Sequence, residues 1–397
     1  MQTFAALSLA YIISIFFRSF LSVLATRIMA DMQIGATELA AMSSAWFVAF
    51  ALMQFPVGWA LDHFGPRRTV LPLMLVGGIG VGLFPFAPNA LVGSLAMALI
   101  GIGCAPVYMG AVYVFARNHP PAQFGFLASL LIGVGSIGNL AGTTPLAWLA
   151  DGFGWRQTMI MLAALYCLAF ALVALFLRDP PRLAAQADSG LFSGLGALVS
   201  TRLFWLIVPI VFVSYAIMVA LRGLWIAPYL AEVIGLPHVQ QSNVVLLMAL
   251  AMTSSAFLFG WVENRWGQAK TLVVAGNLAV AAALACLAVS AVQTPAVATA
   301  LFIAIGFCGF SYTILMAHAR PFFPDHLVGR GMTLLNFVFV GGVAAVQTGS
   351  GWLIDLGRNG GLDAAATFAR MHGALAAVLF ASTLVYMLAP RRPEAER

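Results

Sequence analysis

The chain has 397 residues, of which 62% are hydrophobic and only 8% charged, and its formal net charge is +6. Soluble domains carry about 25% charged residues, so a soluble enzyme or soluble binding module is excluded. The nineteen Lys and Arg residues are too few and too scattered to build a nucleic-acid groove, which excludes that partner as well.

Apolar runs of about 18 residues or more recur along the whole length and mark transmembrane helices. Twelve spans are predicted, the first six over 4–28, 39–62, 69–86, 91–115, 124–149 and 157–177. The N-terminus lacks a basic n-region and its first apolar run is too long for a signal peptide, so the first helix is expected to stay. A polar stretch containing Asp179-Pro-Pro-Arg182 and a Ser/Gly-rich segment follows. The second six spans cover 203–230, 239–262, 271–292, 296–318, 327–353 and 371–388. The expected architecture is an all-α membrane protein of two pseudo-symmetric six-helix bundles, residues 1–178 and 202–397, joined by a cytoplasmic loop over 179–201. Cys104, Cys167, Cys286 and Cys308 each sit in an apolar run without metal-ligand spacing. They read as small core residues, and no cofactor or metal is expected.

Loop charge sets the orientation. Loops on the side of the termini carry thirteen basic residues, among them Arg67, Arg68, Arg117, Arg178, Arg265 and Lys270. The opposite side has four, Arg27, Arg156, Arg358 and Arg370. By the positive-inside rule both termini are cytoplasmic in an inner membrane.

The halves align on each other at an offset of 202 to 204 residues. Gly58-Trp-Ala-Leu-Asp62-His-Phe-Gly65-Pro-Arg-Arg68 matches Gly260-Trp-Val-Glu-Asn264-Arg265-Trp-Gly267-Gln-Ala-Lys270. Gly103 matches Gly306, Gly138 matches Gly342, Trp148 matches Trp352, and Asp151 matches Asp355. Anchors in one order at near-constant spacing indicate an internal duplication, the plan of many secondary transporters with a midplane site.

Two further anchors carry the chemistry. Tyr11 and Arg18 in the first span recur as Tyr215 and Arg222 in the seventh, 204 residues on. Seven residues is almost two helical turns, so each tyrosine and arginine share a helix face. A guanidinium stays charged, and a charge in mid-membrane is costly and usually turned toward a cavity. All thirteen acidic residues fall in loops or at span ends. Tyr11, Ser14, Arg18 and Ser22 form one polar stripe, and Tyr215, Arg222, Trp225 and Tyr229 form another. Such stripes line a wet or ligand-filled cavity, because lipid would leave their donors unpaired. Arginine suits carboxylate or phosphate, which it grips through parallel hydrogen bonds. Tyr108 and Tyr312, in equivalent spans, are candidate ligand contacts, with Asn139 and Gln347 as supporting contacts. Trp46 reads either as site wall or as interface belt, and His318 as a solvated loop histidine.

The loop after the second span resembles the signature of the major facilitator superfamily, Gly-x-x-x-Asp-Arg/Lys-x-Gly-Arg/Lys-Arg/Lys, and the resemblance covers the whole chain. Gly58, Asp62, Gly65 and Arg67 match, beside Arg68, whereas His63 and Pro66 depart from the pattern. The second copy keeps Gly260, Arg265 and Gly267, with Asn264 in place of the aspartate. The resemblance implies two bundles rocking about a central site, with these loops as a conformational latch whose arginines meet acidic or carbonyl groups of the facing bundle. Arginines on the first and seventh helices look like the arrangement in organophosphate:phosphate antiporters and related organic-anion carriers. Gly135-Ser-Ile-Gly138-Asn139-Leu-Ala-Gly142 is faintly similar to the glycine–asparagine motif of nitrate/nitrite porters, whose arginines lie on other helices. The drug-efflux motif of the fifth helix is not met, since Asn139 stands where proline belongs.

The resulting expectation is a non-enzymatic, monomeric carrier of a small organic anion, working by alternating access. Anion exchange and anion–proton symport both stay open. So do a carrier of neutral or zwitterionic solutes and a non-transporting receptor of this fold.

Overall fold

In the computed structural model the residues described are 2–118, 121–179, 196, 199–266, 269–289, 294–309, 312–319, 322 and 328–390, and their regular structure is helical. The first span is a bent pair, Gln2–Phe17 and Leu21–Met32, and Ala36–Phe64, Pro66–Leu83 and Ala90–Asn118 follow it. The fifth span is Pro121–Ala141 and Thr144–Phe153, and the sixth is Trp155–Phe176. The seventh runs from Arg202–Ala220 through a π-helical turn, Leu221–Trp225, into Ile226–Glu232. His238–Trp266, Ala269–Ala288, the pair Pro295–Gly309 and Tyr312–Ala319, Val328–Asn359 and Ala364–Met387 complete the order.

Ten of these stretches are long and apolar enough to cross a membrane, and the bent first pair makes an eleventh. His238–Trp266 is the most polar span, carrying Gln240, Gln241, Asn243 and Glu263. Its 29 residues still reach across a hydrocarbon core of about 30 Å at 1.5 Å per residue. The span ends are set by local chemistry. Pro66 opens the third span at a position where no N–H is needed. Asn89 and Asp363 side chains accept from the backbone N–H of Val92 and Ala366, at 3.0 and 2.7 Å.

Two compact units result, Met1–Leu191 and Phe192–Arg397, and the division falls inside the polar segment read from the sequence. Within the first, the first span packs on the fifth and sixth, the second on the fourth, and the third on the fourth and sixth. The second unit repeats this scheme: the seventh span packs on the eleventh and twelfth, the eighth on the tenth, and the ninth on the tenth and twelfth. Matched glycines make the closest of these approaches. A Cβ on Gly138 would strike the carbonyl of Ile12 in the first span, and one on Gly342 the carbonyl of Phe212 in the seventh. The repeated glycine is therefore a packing requirement at the helix that carries each arginine.

The outer surfaces suit lipid. Leu91, Leu75, Ile79, Leu168 and Leu175 are exposed, as are the matched tryptophans Trp59 and Trp261, and Trp148 and Trp352. Tryptophan favours the two membrane–water interfaces.

Three of the four arginines on the side away from the termini are paired with carboxylates. Arg156 meets Asp31 and the carbonyls of Pro85 and Ala87. Arg27, on the first span, clasps Asp151 and the Ala150 carbonyl on the fifth. In the second unit Glu232, at the end of the seventh span, takes Arg358 of the eleventh at 2.7 and 2.8 Å. The same junction is closed twice, with the charges exchanged between the helices.

Candidate functional site

Each of the two arginines sits where its helix is interrupted. The first span stops being α-helical at residues 18–20, where Arg18 and Ser19 donate backbone N–H groups to the carbonyls of Ile15 and Phe16 three residues back. The two halves of the span meet there at 53°. At the equivalent place in the seventh span the helix widens into the π-helical turn that contains Arg222. Such turns are rare and concentrate at functional sites. Helical periodicity alone placed the arginines on a face and missed that both stand at a break.

In the first unit the predicted residues converge. The guanidinium of Arg18 lies 5.6 Å from the ring centroids of both Trp46 and Phe50, which stack on each other at 4.9 Å. The rings of Tyr11 and Tyr108 meet at 5.3 Å. The Cys104 thiol nearby is buried. Trp46 is thus a wall of the arginine's surroundings and is buried, away from an interface belt. Ser22 lies beyond the bend and is buried, and Asn139 is half-buried on the fifth span. Phe50 is not singled out in the sequence, where the i, i+4 spacing of Trp46 and Phe50 is the available signal, and Cys104 reads there only as a small core residue, which its burial matches.

In the second unit Arg222 is only 3% exposed, and Gln347 is fully buried beside the same turn. A Cβ on Gly223 would lie 3.7 Å from the Gln347 amide nitrogen. Tyr215 stacks on Phe339 at 4.3 Å. Two members of the predicted stripe are diverted into the scaffold. The indole N–H of Trp225 donates to Ser350 Oγ at 2.8 Å, and that hydroxyl donates in turn to the Gln347 carbonyl. Tyr229 is enclosed by Phe302, Phe368 and His372, with ring centroids 5.3 to 5.7 Å away. Shared angular position placed both on the arginine's side, but neighbours at their depth claim them. The side chain of Tyr312 lies outside the described residues. His318 is corrected: it is buried and its Nδ1 is hydrogen-bonded to Tyr386 Oη at 2.8 Å, so it is not a solvated loop residue.

The signature loops differ from the expected latch in where their cations go. Gly65 has φ +84°, which favours glycine at this corner. Arg67 donates through its backbone N–H to Asp179 at 2.7 Å and through Nη1 to the Leu177 carbonyl at 2.6 Å. Both partners lie at the end of the sixth span of its own unit. In the second unit Lys270 donates to the carbonyls of Met387 and Ala389, at the end of the twelfth span. A cation at a helix C-terminus complements its dipole and open carbonyls, and each half uses it to hold its last helix. Arg68 is exposed, and Gly58, Gly260 and Arg265 lie within their helices. The side chains of Asp62 and Asn264, and Gly267, are outside the described residues.

The sequence pattern of the Major Facilitator Superfamily matches residues 7–347. The chain belongs to that superfamily. The relatives and the solved structure that follow are named as transporters. Among curated proteins it is similar to the probable sulfoacetate transporter SauU of Cupriavidus necator, 28% identical over 173 residues, 44% of this chain and 40% of that one. The probable galactarate/D-glucarate transporter GarP of Escherichia coli K12 is 26% identical over 182 residues, 43% of this chain and 40% of its own. These matches span about two-fifths of the length of the curated relatives. Among solved structures the fold is similar to the nucleoside transporter NupG, with a TM-score of 0.77 at 14% identity, covering 97% of this chain and 100% of that one.

Proposed function

We propose that this superfamily member is a secondary active transporter of a small organic anion, a carboxylate or phosphate ester, for which Arg18 and Arg222 supply the binding charge. The observation that carries the reading is that the two arginines, 204 residues apart in a duplicated chain, both stand at a break in the helix that bears them. A broken helix frees backbone groups and widens the local surface, as irregular backbone does where it lines a cavity. The names of SauU and GarP, probable transporters of sulfoacetate and of galactarate/D-glucarate, agree with an anionic cargo. Tyr11, Ser14, Tyr108, Tyr215 and Gln347 are assigned to orienting the anion. Transport proceeds by alternating access, with the anion binding one state better than the other and so shifting their populations. Exchange and proton symport are the two coupling modes this reading allows. The protein resides in the inner membrane as a monomer with its termini in the cytoplasm, the side richer in Arg and Lys.

The test is flux in proteoliposomes. Arg18→Ala and Arg222→Ala are each expected to abolish uptake of the anion while the protein remains folded in detergent. Normal transport by either variant overturns the assignment.

A further inference from the structure

We propose that the outer halves of the first and fifth spans, Leu21–Met32 and Thr144–Phe153, form one hinged lid on the side of the first unit away from the termini, locked in this structure by Asp31 and Arg156. The motion lies within one unit and is distinct from the rocking of whole bundles. Its test involves no transport, so the anion reading stands or falls separately.

Both spans break at one depth. Arg18 and Ser19 donate to carbonyls three residues back, a 3₁₀-type tightening that in mid-helix often marks a hinge. The fifth span stops at Ala141 and restarts at Thr144, and the sequence supplies the cause. Pro145, in the first turn of the new helix, has no N–H to give to a carbonyl one turn back. The Thr143 hydroxyl donates to the Leu140 carbonyl at 2.5 Å, a local bond that bends helices. The two breaks adjoin, since a Cβ on Gly142 would lie 3.5 Å from Ser19 Oγ and from the Phe16 ring. The second copy lacks this arrangement. Gly349 stands where Pro145 would recur at the 204-residue offset, and the eleventh span, Val328–Asn359, runs unbroken.

Ion pairs join the pieces. Arg27 ties the two outer halves together through Asp151 and the Ala150 carbonyl, so they move as one body. The inner half of the first span packs closely on the fourth, fifth and sixth spans, and the outer half packs on no span as closely. Asp31 holds the lid to Arg156 on the sixth span at 2.7 Å. Arg156 also donates to the carbonyls of Pro85 and Ala87 after the third span, and so belongs to the fixed part of the unit. The side chains of Asp31 and Arg156 are 44% and 34% exposed. A pair so exposed biases an equilibrium by at most about fivefold, so it holds the lid shut yet opens readily.

The experiment measures distances between paired spin labels on the full chain, with its four native cysteines replaced by alanine. One label is on Leu168→Cys of the sixth span, and the other is on Ala30→Cys or Gly152→Cys of the lid. All three positions are exposed, and a Cβ on Gly152 meets nothing within 4 Å. Asp31→Asn is expected to raise the proportion of a second, displaced distance by up to about fivefold, alike for both lid positions. Adding Arg27→Gln should then uncouple the lid, so that the distributions from Ala30 and Gly152 no longer match. A control pair on Leu168→Cys and Leu91→Cys, outside the lid, should keep one distance throughout. Distances unaltered by Asp31→Asn, a change at one lid position only while Arg27 is intact, or an equal change in the control pair overturns the inference.

Discussion

Arg222→Met separates an arginine kept for a ligand from one spent on the scaffold. Methionine retains the length and apolar stem of the side chain and deletes the charge. The residue is 3% exposed, so the guanidinium bears a desolvation cost of several kcal/mol that methionine does not. A charge-assisted hydrogen bond to the bound anion contributes about 1.5–3 kcal/mol, and its loss weakens binding about 10- to 150-fold. The two effects act on different states. Without ligand, the variant should unfold within a few degrees of the wild-type temperature. With ligand at a hundred times the wild-type Kd, the wild type gains about 2.7 kcal/mol, and the variant should lose about 1.3–2.4 kcal/mol of that gain. Differential scanning fluorimetry with and without anion measures both. A drop of several degrees in the unliganded protein, with ligand stabilisation intact, would refute the reasoning and assign Arg222 to internal packing.

Gly342→Ala should destabilise the second unit by about 1–3 kcal/mol, since its Cβ lands on the Phe212 carbonyl; chemical denaturation of the purified protein checks this. Glu232→Arg should cost stability, and adding Arg358→Glu should restore it, with a coupling of about 1 kcal/mol for a pair whose side chains are 28% and 33% exposed; a double-mutant cycle by thermal denaturation reads that recovery. Trp225→Phe removes the indole donor to Ser350 and should lower stability by about 1 kcal/mol while anion affinity stays within twofold. A larger loss of affinity would return Trp225 to the binding surface.

Much of the architecture is legible in the residues because the membrane permits few alternatives. Long apolar runs become helices, and the constant offset between Gly138 and Gly342 appears as the same close helix approach in both units. The recurrence of Arg18 as Arg222 is legible for the same reason, as a costly residue placed twice. What the helical wheel cannot convey is depth and backbone irregularity. It put Trp225 and Tyr229 beside Arg222, whereas Ser350 takes one and an aromatic cage takes the other. It also could not announce the break at Arg18 or the widened turn at Arg222, which depend on how neighbouring spans fill the space around them. Loop-charge counting treated Arg27, Arg156 and Arg358 as bare positive charges, but each has a carboxylate across the fold. Arg67, expected to reach toward the facing bundle, is held by Leu177 and Asp179 of its own.

The inverted polarity of the two outer clasps limits how segments of this chain can be shuffled. Transplanting the outer end of the first span into the seventh position would set Arg27 against Arg358, guanidinium against guanidinium. Only a joint transplant, first with fifth or seventh with eleventh, keeps opposite signs together. At this junction the two copies of the ancestral unit have become mutually incompatible at the level of single helices.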